Sequence, residues 1–210
     1  TGSTAAVTIS EYDKLSRKTA EYTPNFSADK SHGTLTTYYP SGAVKTQTDA
    51  LGNVTSFTYD AYGNVTEKTN ADGTINITEY DGLQREKATY FKFKADSEKQ
   101  ILTSTEYKFE SGKLRTIKTT YITAEKQVVT ETLADFRGNT VQEKTNGEVK
   151  RTSVYYANGQ LKSQTDALGN TTKYEYNYLN KLTKTIAPFD ERNAETVNEY
   201  DKNGNVIKVI

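Results

Sequence analysis

One tyrosine-anchored word returns along this chain at a shared interval, and that interval constrains the fold more than any single residue does. Asn53 to Thr69 reads NVTSFTYDAYGNVTEKT: a Thr- and aromatic-rich run reaches Tyr59-Asp60, Gly63 follows in a tight turn, and a second β-rich run begins at Asn64-Val65. The word recurs with variations. Tyr12-Asp13-Lys14-Leu15-Ser16-Arg17 has Ser for Gly; Tyr38-Tyr39-Pro40-Ser41-Gly42 loses the Asp; Tyr80-Asp81-Gly82-Leu83-Gln84-Arg85 loses the second Gly. Tyr107-Lys108-Phe109-Glu110-Ser111-Gly112 fits with one extra residue, and Ala134-Asp135-Phe136-Arg137-Gly138-Asn139 has lost the Tyr. Tyr155-Tyr156-Ala157-Asn158-Gly159, Tyr176-Asn177-Tyr178-Leu179-Asn180 and Tyr200-Asp201-Lys202-Asn203-Gly204-Asn205 complete the series. The anchors fall at 12, 38, 59, 80, 107, 134, 155, 176 and 200, and 59−38, 80−59, 155−134 and 176−155 each give 21. A fixed period of this length marks a repeat architecture. The heptapeptide Gln47-Thr48-Asp49-Ala50-Leu51-Gly52-Asn53 also returns unchanged as Gln164-Thr165-Asp166-Ala167-Leu168-Gly169-Asn170.

Each word predicts a β-hairpin. Apolar or aromatic side chains alternate with Thr, Lys and Glu before the anchor, as at Val7 and Ile9, Phe57, Ile75 and Ile77, Tyr174 and Val197. Period-two alternation marks a strand with one covered face. Six residues after the anchor stand Val44, Val65, Leu161, Leu182 or Val206, which set the face of the returning strand that looks inward. Asp and Asn close turns through their own side chains, and Gly42, Gly63, Gly138, Gly159 and Gly204 supply the backbone freedom a turn needs. A second breaker follows in each unit, at Ala50–Asn53, Asn70–Gly73, Asn146-Gly147 and Ala167–Asn170. Each unit thus holds two strands and two turns. Longer gaps carry insertions, at Asn25 to His32 and Phe91 to Ile101, and Lys92 to Gln100 is too short and polar to predict a helix.

Composition limits the core. Only 34% of residues are hydrophobic, so a thick two-layer core is not expected, yet 16 Tyr, 7 Phe and 3 Pro are the opposite of a disordered composition. One repeat offers about three large side chains at roughly 1.5–3 kcal/mol each, against ~1–2 kcal/mol of backbone entropy per residue. A lone hairpin cannot stand, and stability must accumulate between neighbours. The expected fold is all-β: tandem antiparallel hairpins in a long, twisted sheet mostly one layer thick. Its end strands are unpaired edges, which invite association. Residues 1–6 read as a tag or disordered leader, with Thr1-Gly2-Ser3 as a cloning remnant, and 7–210 as the repeat array. The opening TGSTAAVTIS, without Met, is expected of a piece of a longer protein.

The search for chemistry is short. Lys and Arg number 27, as do Asp and Glu, so no net charge recommends nucleic acid as partner. There is no Cys, which excludes disulfides and thiolate chemistry, and no apolar run long enough to span a membrane as a helix. His32, the only histidine, reads as a solvated loop residue. Asp13, Asp60, Asp81, Asp135 and Asp201, like Asp72-Gly73 and Asp49 with Asn53, fit turn closure better than a calcium loop. Asp190 with Glu191, and Glu195 with Glu199, read as solvated carboxylates and not as a glycosidase pair. Lys92, Lys94 and Lys99 read as solubilising charge. No catalytic residue, cofactor or metal is expected. The anchor tyrosines Tyr12, Tyr38, Tyr59, Tyr80, Tyr155, Tyr176 and Tyr200 are expected to pack, while exposed non-anchor rings such as Tyr62 and Tyr178 could stack on sugars.

The word Tyr-Asp-x-x-Gly-Asn/Arg-apolar, at a period near 21, resembles the YD-repeat family, also called Rhs repeats, from about Val7 to Ile210. The resemblance implies a large bacterial secreted or cell-surface protein, of the wall-associated, polymorphic-toxin or toxin-complex kind. In such proteins, and in related animal teneurins, the hairpins wind into a spiral β-sheet that closes a hollow shell, in several members around a C-terminal toxic domain. Carbohydrate binding is also implied. The expected partners are therefore neighbouring repeats, an enclosed polypeptide toxin or surface glycans. This chain departs from a full member: no stretch resembles the terminal core domain or a toxin, and nine repeats are expected to be too few to close a shell. Encapsulation would then belong to a parent protein. The expected role is a non-catalytic structural segment, with a surface adhesin module as the alternative.

Overall fold

The computed structural model describes residues 8–22, 33–189 and 192–210. Val7, the 1–6 leader, the Asn25–His32 insertion with His32, and the Asp190-Glu191 pair lie outside the described residues. The chain forms two units, Thr1–Ser104 and Thr105–Ile210. No helix occurs among the described residues.

Residues 1–104 hold β1 (Ile9–Tyr12), β2 (Lys18–Tyr22), β3 (Thr34–Tyr38), β4 (Val44–Thr48), β5 (Val54–Tyr59), β6 (Val65–Thr69), β7 (Ile75–Tyr80), β8 (Glu86–Lys92) and the opening of β9 (Gln100–Glu110). Residues 105–210 hold the rest of β9, then β10 (Lys113–Tyr121), β11 (Gln127–Ala134), β12 (Thr140–Thr145), β13 (Glu148–Tyr155), β14 (Leu161–Asp166), β15 (Thr171–Tyr176), β16 (Leu182–Phe189), β17 (Arg192–Tyr200) and β18 (Val206–Val209). Within each unit, every strand pairs antiparallel with the next in sequence. Thr, Tyr, Val and Ile fill these strands because their branched or flat side chains suit a pleated surface.

Six junctions between successive repeats share one register. Take as reference the residue just after each anchor: 13, 39, 60, 81, 135, 156, 177 and 201. The residue seven after one reference pairs with the residue four before the next: Ala20↔Leu35, Thr46↔Ser56, Glu67↔Ile77, Gln142↔Thr152, Ser163↔Lys173 and Lys184↔Val197. The connecting chain differs in length among these six, so their insertions enter at the second junction while the ladder keeps step. A one-residue slip would turn each side chain to the other face, which is why register is held and loop length is free. Ala88↔Ser104 keeps the same step, which places Tyr107 at an anchor position. There, however, the strand runs on to Glu110 and reverses at Ser111-Gly112, both at positive φ. The insertion expected from Phe91 to Ile101 is shorter, because Phe91 pairs with Gln100 and Ile101 with Tyr90 across β8 and β9.

The anchor side of each hairpin carries a bulge. Tyr59 faces Val65 while Thr58 faces Glu67, leaving Thr66 extra on the returning strand. The same shift occurs at Tyr12, Tyr38, Tyr80, Ala134, Tyr155, Tyr176 and Tyr200. Bulges raise local twist and bend the strand. The core is thin: Ala20, Ile75 and Ala88 are the buried hydrophobic residues, with Ser153 the buried polar one, among the described residues. Anchor tyrosines from Tyr38 onward are half-buried, whereas Tyr12 and Val206 are exposed.

Candidate functional site: the tyrosine-aspartate turns

The conserved geometry lies in the turns. In the Asp60 turn, Gly63 N–H donates to the Asp60 carbonyl (3.2 Å) and Asp60 N–H donates to the Asn64 carbonyl (3.0 Å). Gly63 sits at φ 91°, so this is a type I turn closed by a left-handed residue. Among the described residues the same pair of backbone bonds closes eleven reversals, beginning at 13, 39, 49, 60, 70, 81, 135, 156, 166, 177 and 201. The second junctions at Asp49, Asn70 and Asp166 therefore use the same five-residue loop as the anchored turns, without the adjoining bulge at Thr48↔Val54, Thr69↔Ile75 and Thr165↔Thr171. Ser16, Gln84 and Asn180 hold the left-handed position at φ 59°, 63° and 61°.

The Asp side chain fills the loop. Asp60 Oδ1 accepts the N–H of Tyr62 and of Asn64, each at 2.9 Å, and Oδ2 accepts Asn64 Nδ2 at 2.9 Å. Asp49–Asn53, Asp135–Asn139, Asp166–Asn170 and Asp201–Asn205 repeat this. Arg17 and Arg85 replace the Asn and ion-pair with Asp13 and Asp81 at 2.6 Å. These carboxylates are thus occupied in closing turns. The Asn64 side-chain bond, first among the causes, holds the Asp60 carboxyl below its usual range. The Arg85 side chain does the same to Asp81, and the backbone N–H of Arg17 leads at Asp13. The repeat word places Asn or Arg at the fifth loop position, and its spacing of four from Asp is the sequence signal for this bond.

The anchor tyrosines connect repeats. Tyr38, Tyr80, Tyr155 and Tyr200 donate their hydroxyls to the carbonyls of Lys18 (2.6 Å), Val65 (3.1 Å), Thr140 (2.9 Å) and Leu182 (2.7 Å). Each acceptor is the first residue after the preceding repeat's turn. Where the loop Asp is replaced, Tyr39 and Tyr156 reach forward to the carbonyls of Phe57 (2.9 Å) and Tyr174 (3.2 Å). Their rings stand edge-on to Tyr59 and Tyr176, with centroids 6.1 and 6.2 Å apart. Burial pushes the Tyr176 phenol up, with the neighbouring Tyr174 and Tyr156 adding to it. A polar chain runs beside the tyrosines: Asn64 donates to Gln84 (2.6 Å), Gln160 to the Asn180 carbonyl (3.1 Å), Arg17 to the Tyr39 carbonyl (3.2 Å) and Arg137 to the Ala157 carbonyl. Gly42, Gly138, Gly159 and Gly204 all occupy the left-handed loop position, as does Gly63.

The remaining candidates sit apart. Glu195 pairs with Lys184 (2.8 Å) and Glu199 with Lys208 (3.7 Å), each on a neighbouring strand. Lys99 pairs with Glu79 (2.8 Å) and lies 4.0 Å from the Tyr90 ring centroid. Lys92 donates to the Ala95 carbonyl. Among the described residues there is no group of three or more metal-binding side chains and no helix long and apolar enough to cross a membrane. Tyr62 and Tyr178, at loop tips, are 77% and 91% exposed and so free to contact other molecules.

Residues 38–75 and 155–192 match the family model described as RHS Repeat. These two stretches carry RHS repeats. The two matched stretches stand 117 residues apart (155−38), the same offset that carries Tyr39, Phe57 and Tyr59 onto Tyr156, Tyr174 and Tyr176. No curated protein matches the chain. Similar solved structures include the crystal structure of TcdB2-TccC3-Cdc42, at 14% identity and a TM-score of 0.44, and that of TcdB2-TccC3-TEV, at 14% and 0.42. A third, TcdB2-TccC3 without its hypervariable C-terminal region, stands at 13% and 0.44. Each match covers 97% of this chain and 14% of the other, so the chain spans a small part of the proteins it matches.

Proposed function

We propose that these RHS repeats are a non-catalytic stretch of wall in a larger bacterial protein, secreted or held at the cell surface, whose shell encloses a polypeptide. The observation that carries this reading is the tyrosine brace: Tyr38, Tyr80, Tyr155 and Tyr200 each spend a hydroxyl on the previous repeat's backbone. Such bonds serve mechanical continuity between units. Enclosure rests on the YD/Rhs resemblance. Its test is limited proteolysis of the full-length polypeptide that contains this chain. Survival of a segment outside the repeats until the repeats are unfolded by guanidinium supports enclosure. Cleavage of every other segment while the repeats remain folded overturns it.

One observation favours a second reading, glycan adhesion. The Tyr62 and Tyr178 rings project from loop tips, and an open groove beside the latter turn is lined by Tyr156, Gln160, Glu175, Tyr176 and Asn177. Aromatic faces with flanking amides suit the apolar side and hydroxyls of a sugar ring. A glycan array decides: reproducible binding lost in Tyr62→Ala and Tyr178→Ala supports adhesion, and no binding, or binding indifferent to both, removes it.

A further inference from the structure

We infer that Asn146 is a site of spontaneous modification, where the Gly147 backbone nitrogen closes on the Asn146 side-chain amide, expels ammonia and leaves a mixture of aspartate and isoaspartate. Glycine follows asparagine three times in the chain, at Asn146-Gly147, Asn158-Gly159 and Asn203-Gly204. Glycine favours this ring closure because no Cβ shields the attacking nitrogen. By sequence the three pairs are alike; in the fold their nitrogens differ. Gly159 N–H donates to the Tyr156 carbonyl at 2.9 Å and Gly204 N–H to the Asp201 carbonyl at 3.1 Å, the bonds that close their loops. A nitrogen held in this way must give up a hydrogen bond before it can attack. Gly147 N–H closes no backbone bond of this kind. It lies in a two-residue turn across which Thr145 pairs with Glu148, with Asn146 at φ 51° and Gly147 at φ 85°. Both turn residues are exposed to water.

The electrophile is also held. Asn146 N–H donates to the Val129 carbonyl at 2.7 Å, and Val129 N–H donates to Asn146 Oδ1 at 2.9 Å. The side-chain oxygen thus stands in for the backbone carbonyl that would carry the β11–β12 ladder one step past Thr130↔Thr145. The same N–H meets the charge that builds on Oδ1 as the nitrogen attacks Cγ, as an oxyanion donor does. Asn158 Oδ1 likewise accepts a backbone N–H, from Gln160 at 3.1 Å, so the carbonyl does not separate these two sites and the nitrogen does. The step balances with water alone. Hydroxide takes the Gly147 amide proton, the nitrogen bonds to Cγ, and the Cγ–Nδ2 bond breaks with a proton from water to release ammonia. Water then opens the cyclic imide at either carbonyl, giving aspartate or isoaspartate. Aspartate still offers an oxygen to Val129. Isoaspartate inserts one more carbon into the main chain of a turn that has only two residues, so it cannot keep both the Thr145↔Glu148 pairing and the bonds to Val129. Ageing at this turn therefore loosens β12 from its neighbours.

The test incubates the full chain at mildly alkaline pH, folded and, in parallel, in guanidinium. Peptides covering the three Asn-Gly pairs are followed by mass spectrometry. In the folded sample conversion at Asn146 should run several-fold ahead of Asn158 and Asn203, and in guanidinium the three rates should converge. Both aspartate and isoaspartate should form at position 146, and Asn146→Gln should form neither. Hydrogen exchange at the Val129 amide should quicken in the isoaspartate fraction and stay slow in Asn146→Asp, whose carboxylate keeps the acceptor. No conversion at Asn146, Asn158 or Asn203 leading in the folded sample, a ranking that survives guanidinium, aspartate without isoaspartate, or unchanged Val129 exchange in the isoaspartate fraction would each overturn the inference.

Discussion

The hydroxyl of Tyr200 lies 2.7 Å from the carbonyl of Leu182, eighteen residues earlier, and this bond links the last turn to the one before it. It belongs to a series of four such bonds, each reaching back to the residue that follows the preceding turn. The anchor tyrosine is therefore a connector between repeats as well as a packing group.

Removing the connector without removing the ring should show its worth. Tyr80→Phe deletes the bond to Val65 and leaves the half-buried ring in place. The expected loss is about 0.5–1.5 kcal/mol, read as a lower guanidinium midpoint. An unchanged midpoint would assign the tyrosines to packing alone.

Turn closure predicts a graded response at Asp60. Asp60→Ala removes the acceptor of three hydrogen bonds, from two backbone N–H groups and Asn64 Nδ2. Asp60→Asn should be milder, because Asn177 holds the same position and its Oδ1 accepts the N–H of Leu179 and Lys181, each at 3.0 Å. Thermal melts of the two variants should rank native above Asn above Ala.

The left-handed loop position gives a prediction of opposite signs. Gly63 sits at φ 91°, where a Cβ is strained, so Gly63→Ala should destabilise by about 1–2 kcal/mol. Ser16 already bears that cost at φ 59°, and Ser16→Gly should stabilise by up to about 1 kcal/mol. Equilibrium denaturation of both variants checks the pair.

Gly33 is needed for closeness. A Cβ there would stand 2.7 Å from Tyr22 Cβ and 2.8 Å from the Glu21 carbonyl, at the β2–β3 pairing. Gly33→Ala should cost about 1–3 kcal/mol, the usual range for overpacking. Hydrogen exchange should report it as faster exchange at Ala20 and Leu35.

Acid should loosen all the loops together. The carboxyls of Asp13, Asp49, Asp60, Asp81, Asp135, Asp166 and Asp201 are all held below their usual value by bonds from the residue four positions on. A folded-state value below the unfolded one adds stability that is complete above the unfolded value, about 3.9 for Asp, and is lost as pH falls through the folded value. Stability should thus be flat with respect to these groups from neutral down to about pH 5 and decline below about pH 4. A midpoint that rose on acidification through that range would contradict it.

The sequence alone determined the antiparallel hairpins, their period and the thinness of the core. Alternation at Phe57 and Ile75, the Asp60–Gly63 loop and the scarcity of apolar residues are local properties, written into neighbouring letters. The Asn64 side chain's bond to Asp60 was within reach of the same reading, since both lie in one loop. Tertiary structure decided what joins one repeat to the next. Tyr80 and Val65 are fifteen residues apart, and Ala20 meets Leu35 across an insertion of unrelated length. No local pattern specifies such contacts. They exist because a half-covered strand lowers its free energy only by matching its face and its backbone groups to a neighbour, and that match fixes register while leaving the loop between free to vary.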